Sequence, residues 1–312
     1  MNLGWFRESP VLHALTTVAG AVLVAGAAAT VLGGPRVLRL VAGEGIKLVS
    51  QRFLYVSILF LCAGVLLSAW LQPLLTGQKE TEWSRFNSYQ LFAYGAKFGN
   101  WMASYVLVVF SGMLFAGEFD RGTIKNLLTR PVTRTDLFLA KVLVAILFAS
   151  FLYVVVIYVS YHYAVSRGDL GPVWDTQQYE MKRTAAEMES AMRYAIAVSF
   201  LPLLCASFFG ILVSNLTESS GYAVATAVIA FFFADLTTGF LHPDTRLKFF
   251  NSYLTEGFEV LRRRSEGEGW PGFPPRVAPW FSESLYLKIP LLYMSAFLST
   301  AYGIFRAKNI QA

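Results

Sequence analysis

Apolar residues in this chain come in long blocks divided by short polar ones. Windows with at most one charge run over residues 11–32, 53–71, 98–117, 137–165, 194–213, 221–241 and 285–305. A run of about 20 apolar residues crosses the ~30 Å hydrocarbon core of a bilayer as a helix, which satisfies its own backbone. The ~10-residue alternating segments of a membrane barrel are absent. The pattern predicts an all-α polytopic membrane protein with seven spans.

The blocks between the spans differ in character. Gly33-Gly34-Pro35 ends the first span. Residues 36–51 interleave Val37, Leu40, Val41, Ile46, Leu48 and Val49 with Arg36, Arg39, Glu44 and Lys47. That spacing predicts an amphipathic helix at the membrane surface, weakened by Gly43 and Gly45. Segment 72–98 is polar but carries Trp83, Phe86, Tyr89, Phe92 and Tyr94. It fits a headgroup-level piece or a loop packed on its own protein. In 166–191, Met181, Ala185, Met188 and Met192 are spaced as a packing stripe on a helix leading into the fifth span. Pro202 predicts a kink there. Phe249, Phe250, Tyr253, Leu254, Phe258 and Leu261 form one apolar face of a helix ending in Arg262-Arg263-Arg264. The Pro/aromatic piece after it, 270–281, suits an interfacial lid or re-entrant segment.

The first span also fits a secretory signal, with Ala27-Ala28-Ala29 near its end. It exceeds the usual ~7–15-residue apolar region, and Glu8 offsets Arg7, so it reads as an uncleaved span.

Composition agrees. The 312 residues are 55% hydrophobic and 15% charged, against ~25% charged in soluble domains, and mean hydropathy is +0.49. The net charge of +6 sits in loops and points to topology, not to nucleic acid. Lys and Arg are densest in 35–52, 118–135 and the tail from Arg306. The positive-inside rule makes these cytoplasmic, in a cell (inner) membrane, with the N-terminus outside and the C-terminus cytoplasmic. Cys62 and Cys205 lie in apolar runs as packing residues, and His13, His162 and His242 lack metal-ligand spacing. Asp235 is the acid well inside a span. It reads as a substrate or ion contact, or as a group solvated at the interface six residues from Leu241. Lys141 lies near the end of its span and is expected to snorkel.

The stretch 118–141 is densest in turn and cap signals. Glu118 and Asp120 end the third span, and Arg121-Gly122 is a break. Thr123 can cap a short helix over 124–129, whose Ile124, Leu127 and Leu128 suit a partner's groove. Arg130-Pro131 ends that helix, and Thr133-x-x-Asp136 is a capping-box pattern that restarts one. On local physics alone a simple re-entry loop fits as well.

The series Glu118, Gly122, Thr123, Leu127, Leu128, Arg130, Pro131, Val132, Arg134 and Lys141 resembles the signature of ABC-2 type transporter permeases. The resemblance covers about 36–312. It implies a six-span ABC-2 transmembrane domain over 35–312, preceded by one additional N-terminal transmembrane helix in 1–34 that departs from the family pattern. It further implies the permease subunit of an exporter, paired with a second permease subunit as a homo- or heterodimer. An ABC ATPase would couple through Glu118, Arg121, Gly122, Thr123, Leu127, Leu128, Arg130, Pro131 and Arg134. No Gly-x-x-x-x-Gly-Lys-Ser/Thr stretch occurs, so ATP and Mg belong to that partner, and no catalytic residue, cofactor or metal is expected in this chain. Two other classes compete. One is a non-transporting scaffold that couples an ATPase to an extracytoplasmic machine through loops 166–191 and 242–284. The other is a membrane-embedded enzyme, which neither a Gly-x-Ser-x-Gly motif nor a pair of intramembrane acids supports.

Overall fold

The computed structural model describes residues 36–75, 87–123, 133–168, 170–174, 181–241, 248–265 and 279–308, with Thr16, Ala19, Gly20, Gly34 and Thr245 as single positions. Helix α1 covers 36–49. It is followed by α2 (Arg52–Leu75), α3 (Ser88–Asp120) and α4 (Arg134–Arg167). The strands β1 (Val173–Trp174) and β2 (Met181–Arg183) form a small antiparallel pair. Then come α5 (Ala185–Leu216), α6 (Ser220–Phe240), a 3-10 turn at Phe250–Ser252, α7 (Tyr253–Ser265) and α8 (Pro279–Ala307). Among the described residues, six helices (α2 to α6 and α8) are long and apolar enough to cross a membrane. They coincide with the six spans expected from residue 53 onward. The expected first span, 11–32, lies outside the described residues apart from Thr16, Ala19 and Gly20.

Helix α3 is the hub, packing against α2, α4, α5, α6 and α7. Its approach to α5 is close because Gly210 has no side chain. A Cβ there would stand 2.7 Å from Ser111 Cβ and 2.9 Å from the Val108 carbonyl. Polar groups at this crossing are paired: Ser111 and Ser207 share a hydrogen bond of 2.8 Å, and Ser214 Oγ accepts from the backbone N–H groups of Phe115 and Ala116. Helices α2, α6 and α8 turn many apolar residues outward, among them Leu59, Ile229, Phe233 and Leu292, as lipid requires.

Helices α3, α4 and α5 have 33, 34 and 32 residues. At 1.5 Å per residue each spans about 50 Å, well beyond the ~30 Å apolar core. The excess at one end holds α7. Asn100 Nδ2 donates to the Leu254 carbonyl at 2.6 Å, and Lys97 pairs with Glu259 at 2.8 Å. Burial pushes the Glu259 carboxyl up, but hydrogen bonds and charge from Arg262 and Lys97 outweigh it and bring its pKa down to about 2.

Several expectations are corrected here. Helix α3 begins at Ser88, with Asn87 accepting from the Tyr89 N–H. Tyr89 and Phe92 are therefore neither headgroup anchors nor loop residues; they are buried on a helical face toward the core. Met181 lies in β2 and is exposed, so the methionine stripe is a helix only from Ala185. Thr184 and Glu187 form a capping box at that start, and only Met188 and Met192 are buried. Helix α1 is continuous through Gly43 and Gly45. The expected apolar face of α7 is present, with Tyr253, Leu254, Phe258 and Leu261 buried. Of the piece 270–281, residues up to 278 lie outside the described residues, and α8 begins at Pro279.

Candidate functional site

The site is the end of the α3–α4 hairpin. Helix α3 stops because Gly122 takes φ +65°, a conformation that costs a side-chain-bearing residue about 1–2 kcal/mol. Its N–H returns to the Phe119 carbonyl at 3.0 Å. Thr123 turns its hydroxyl back to the Glu118 carbonyl at 3.4 Å. The next expected site residues, Leu127, Leu128, Arg130 and Pro131, lie outside the described residues, as does the short helix expected over 124–129. Helix α4 starts with the anticipated capping box. Asp136 N–H donates to Thr133 Oγ1 at 3.1 Å, and Thr133 N–H donates to Asp136 Oδ2 at 3.0 Å.

Other segments converge on this end. Arg134 donates to the carbonyls of Arg306 and Lys308 at 3.1 and 3.0 Å, closing the C-terminal end of α8. Lys308 lies over the Phe119 ring at 4.0 Å and donates to the Thr217 carbonyl at 3.3 Å. Ser220 donates to Asp120 Oδ2 at 2.6 Å. The described parts of the 118–134 turn, the 216–221 turn and the tail thus meet at one end of the bundle.

Behind the turn sits a cluster of ions. Lys141 is 1% exposed, so it does not snorkel as expected. Its ammonium lies 2.9 Å from Glu118 Oε1 and donates to the Leu114 carbonyl at 2.7 Å. The carboxylate on the neighbouring helix offers a charge-assisted bond without extending to water, which is why the side chain stays inside. Lys47 reaches the same Glu118 oxygen at 3.3 Å and Glu44 at 3.2 Å, and Glu44 stands 3.9 Å from Lys141. Burial works against the Lys47 ammonium, yet the charges of Glu44 and Glu118 raise its pKa above the ordinary lysine value. Two acids and two bases therefore tie α1, α3 and α4 together. A cavity of about 520 Å³ opens beside them, lined in part by Phe53, Phe110, Met113, Gly117 and Arg121.

Of the cluster, Glu118 was singled out in the sequence, Glu44 and Lys47 were not given a site role, and Lys141 was expected to snorkel. The available signal was an acid and a base placed near the facing ends of adjacent spans. Asp235, the other candidate, lies apart from this cluster. Its Oδ2 accepts from Trp101 Nε1 at 2.8 Å and from Tyr105 OH at 3.2 Å, both on α3. Among the described residues no group of three or more His, Cys, Asp or Glu could hold a metal, and both cysteines are free.

A bundle of six helices, each long and apolar enough to cross a bilayer, is the build of a multi-pass membrane protein. The sequence model of the ABC-2 family transporter proteins matches residues 40–234, well over half of the chain. The chain belongs to that family and is a membrane subunit of the ABC permease kind. No curated protein matches it.

Proposed function

We propose that this chain is the permease subunit of an ATP-driven exporter and that a separate ABC ATPase drives it through residues 118–134. The supporting observation is the ion cluster of Glu44, Lys47, Glu118 and Lys141 directly behind that turn. A push on the turn is carried into α1, α3 and α4 together, because parting the buried pair is costly. Two of those helices run about 50 Å, so a tilt at one end becomes a displacement at the other. The charge bias makes this end cytoplasmic, with the N-terminus outside and a second permease subunit, identical or different, completing the pathway. ATP and Mg act on the partner, and Asp235 contacts the cargo or an ion within the span. The test is coupled ATPase activity and transport in proteoliposomes after Gly122→Pro or Leu127→Asp. Both variants are expected to assemble and lose stimulation; normal transport in both sinks the proposal.

A second reading has its own support. The ends of α3 and α5 that pack against α7 make a folded platform, which suits a scaffold for an extracytoplasmic machine. Substrate-stimulated ATPase activity favours export; ATPase activity indifferent to every cargo favours the scaffold.

A further inference from the structure

The cavity behind the hairpin end offers chemistry that its ion pairs leave unused. Glu118 Oε1 takes both lysines, but Oε2 is buried and among the described residues has no hydrogen-bond partner. Glu118 as a whole is 5% exposed and lines the cavity. A buried carboxylate oxygen without a donor is a costly state, relieved by any N–H or O–H that reaches it. Arg121 lines the same cavity, and among the described residues no acid engages its guanidinium. Among the described residues, the ionic side chains around the cavity are two acids (Glu44, Glu118) and three bases (Lys47, Arg121, Lys141).

The walls grade from apolar to charged along one helical face. Phe110, Met113, Leu114, Gly117, Glu118 and Arg121 follow one another at the three- and four-residue spacing of a single face of α3, and all six line the cavity. From Phe110 to Arg121 that face extends roughly 16 Å. Phe53 of α2 widens its apolar part, and Met113 is 43% exposed at the outer surface. An apolar wall that reaches the surface at Met113, a guanidinium that no described acid engages and an acceptor in need of a donor match an amphiphile with an anionic centre and a donor beside it.

We propose that this cavity binds the head group of a membrane glycerophospholipid bearing an N–H or O–H donor, as in phosphatidylethanolamine or phosphatidylglycerol. The phosphate pairs with Arg121, the donor reaches Glu118 Oε2, and the first acyl methylenes lie along Met113 and Phe110. The lipid is a resident that ties membrane composition to the hairpin end; it is not the exported cargo, and the proposal does not depend on the ATPase reading.

The experiment uses the purified, delipidated full chain, titrated with dioleoyl phosphatidylethanolamine, phosphatidylglycerol or phosphatidylcholine, with adducts counted by native mass spectrometry. Phosphatidylethanolamine and phosphatidylglycerol are expected to bind at least tenfold more tightly than phosphatidylcholine, whose trimethylammonium has no donor. Arg121→Gln is expected to weaken phosphatidylethanolamine binding at least tenfold. A Cβ on Gly117 meets nothing within 4 Å, so Gly117→Leu is expected to fill the cavity and abolish the adduct while leaving the lipid-free melting temperature unchanged. Phosphatidylcholine binding as tightly as phosphatidylethanolamine, or adducts undiminished in both variants, overturns the proposal. So does soluble glycerophosphoethanolamine binding as tightly as the whole lipid, since that makes the ligand a free phosphodiester.

Discussion

Lys141→Met tests whether the ion cluster holds the hairpin end together. The Lys141 ammonium is buried, 2.9 Å from Glu118 Oε1. At an effective dielectric constant of about 20, two unit charges at that separation attract by about 6 kcal/mol. Desolvation of both groups consumes much of this, and removing one member of such a pair typically costs about 3–5 kcal/mol because the other stays buried and unpaired. Lys47 remains 3.3 Å from the same oxygen, but its side chain is 46% exposed. Screened by water, it offsets roughly 1 kcal/mol at most. Lys141→Met is therefore expected to destabilise by about 2–4 kcal/mol. Glu118→Leu leaves Lys141 with Glu44 at 3.9 Å, the Leu114 carbonyl and the Phe115 ring 5.3 Å away, and a loss of similar size follows. The double variant places two apolar groups side by side, so it should recover at least about 2 kcal/mol relative to either single. The assay is reversible unfolding in mixed micelles, followed by tryptophan fluorescence and analysed as a double-mutant cycle. Effects additive to within about 0.5 kcal/mol would refute the reasoning, because additivity means the two charges do not interact.

Further expectations follow from other contacts. Gly210→Leu puts carbon where the Val108 carbonyl and Ser111 already stand, so it should cost about 1–3 kcal/mol by overpacking; an unchanged unfolding midpoint contradicts the close α3–α5 crossing. Glu259 has a depressed folded pKa of about 2, so its contribution to α7 docking is full above the unfolded value near 4.5 and is lost as pH falls toward 2. Hydrogen-exchange protection of α7, taken relative to the intrinsic rate at each pH, should fall across that window in the wild type, and the difference between wild type and Glu259→Gln should shrink there. Asp235→Asn keeps an acceptor for Trp101 and Tyr105 but removes the charge. Stability should change by no more than about 1 kcal/mol while transport changes; equal transport by both proteins removes Asp235 from the pathway.

The sequence by itself determined that the six described helices are long and apolar enough to cross a membrane, because about 20 consecutive apolar residues leave few other folds. It also determined the break at Gly122 and the restart at Thr133 and Asp136, since left-handed turns and capping boxes depend on residues within a few positions of one another. The same local pattern carried the ABC-2 resemblance. Tertiary structure alone decided what meets what. Leu59 and Leu61 look alike in sequence, yet Leu59 faces outward and Leu61 is fully buried. The start of α3 at Ser88 was hidden because its first turns are held by packing on α7, and the polar residues among them break the apolar run. Lys47 and Glu118 stand 71 residues apart, and nothing in either neighbourhood announces the other. Lys141 shows the reason most directly. A lysine near the end of a span can snorkel to water or turn inward to an acid, and the choice rests on whether the helix beside it holds a carboxylate at that level.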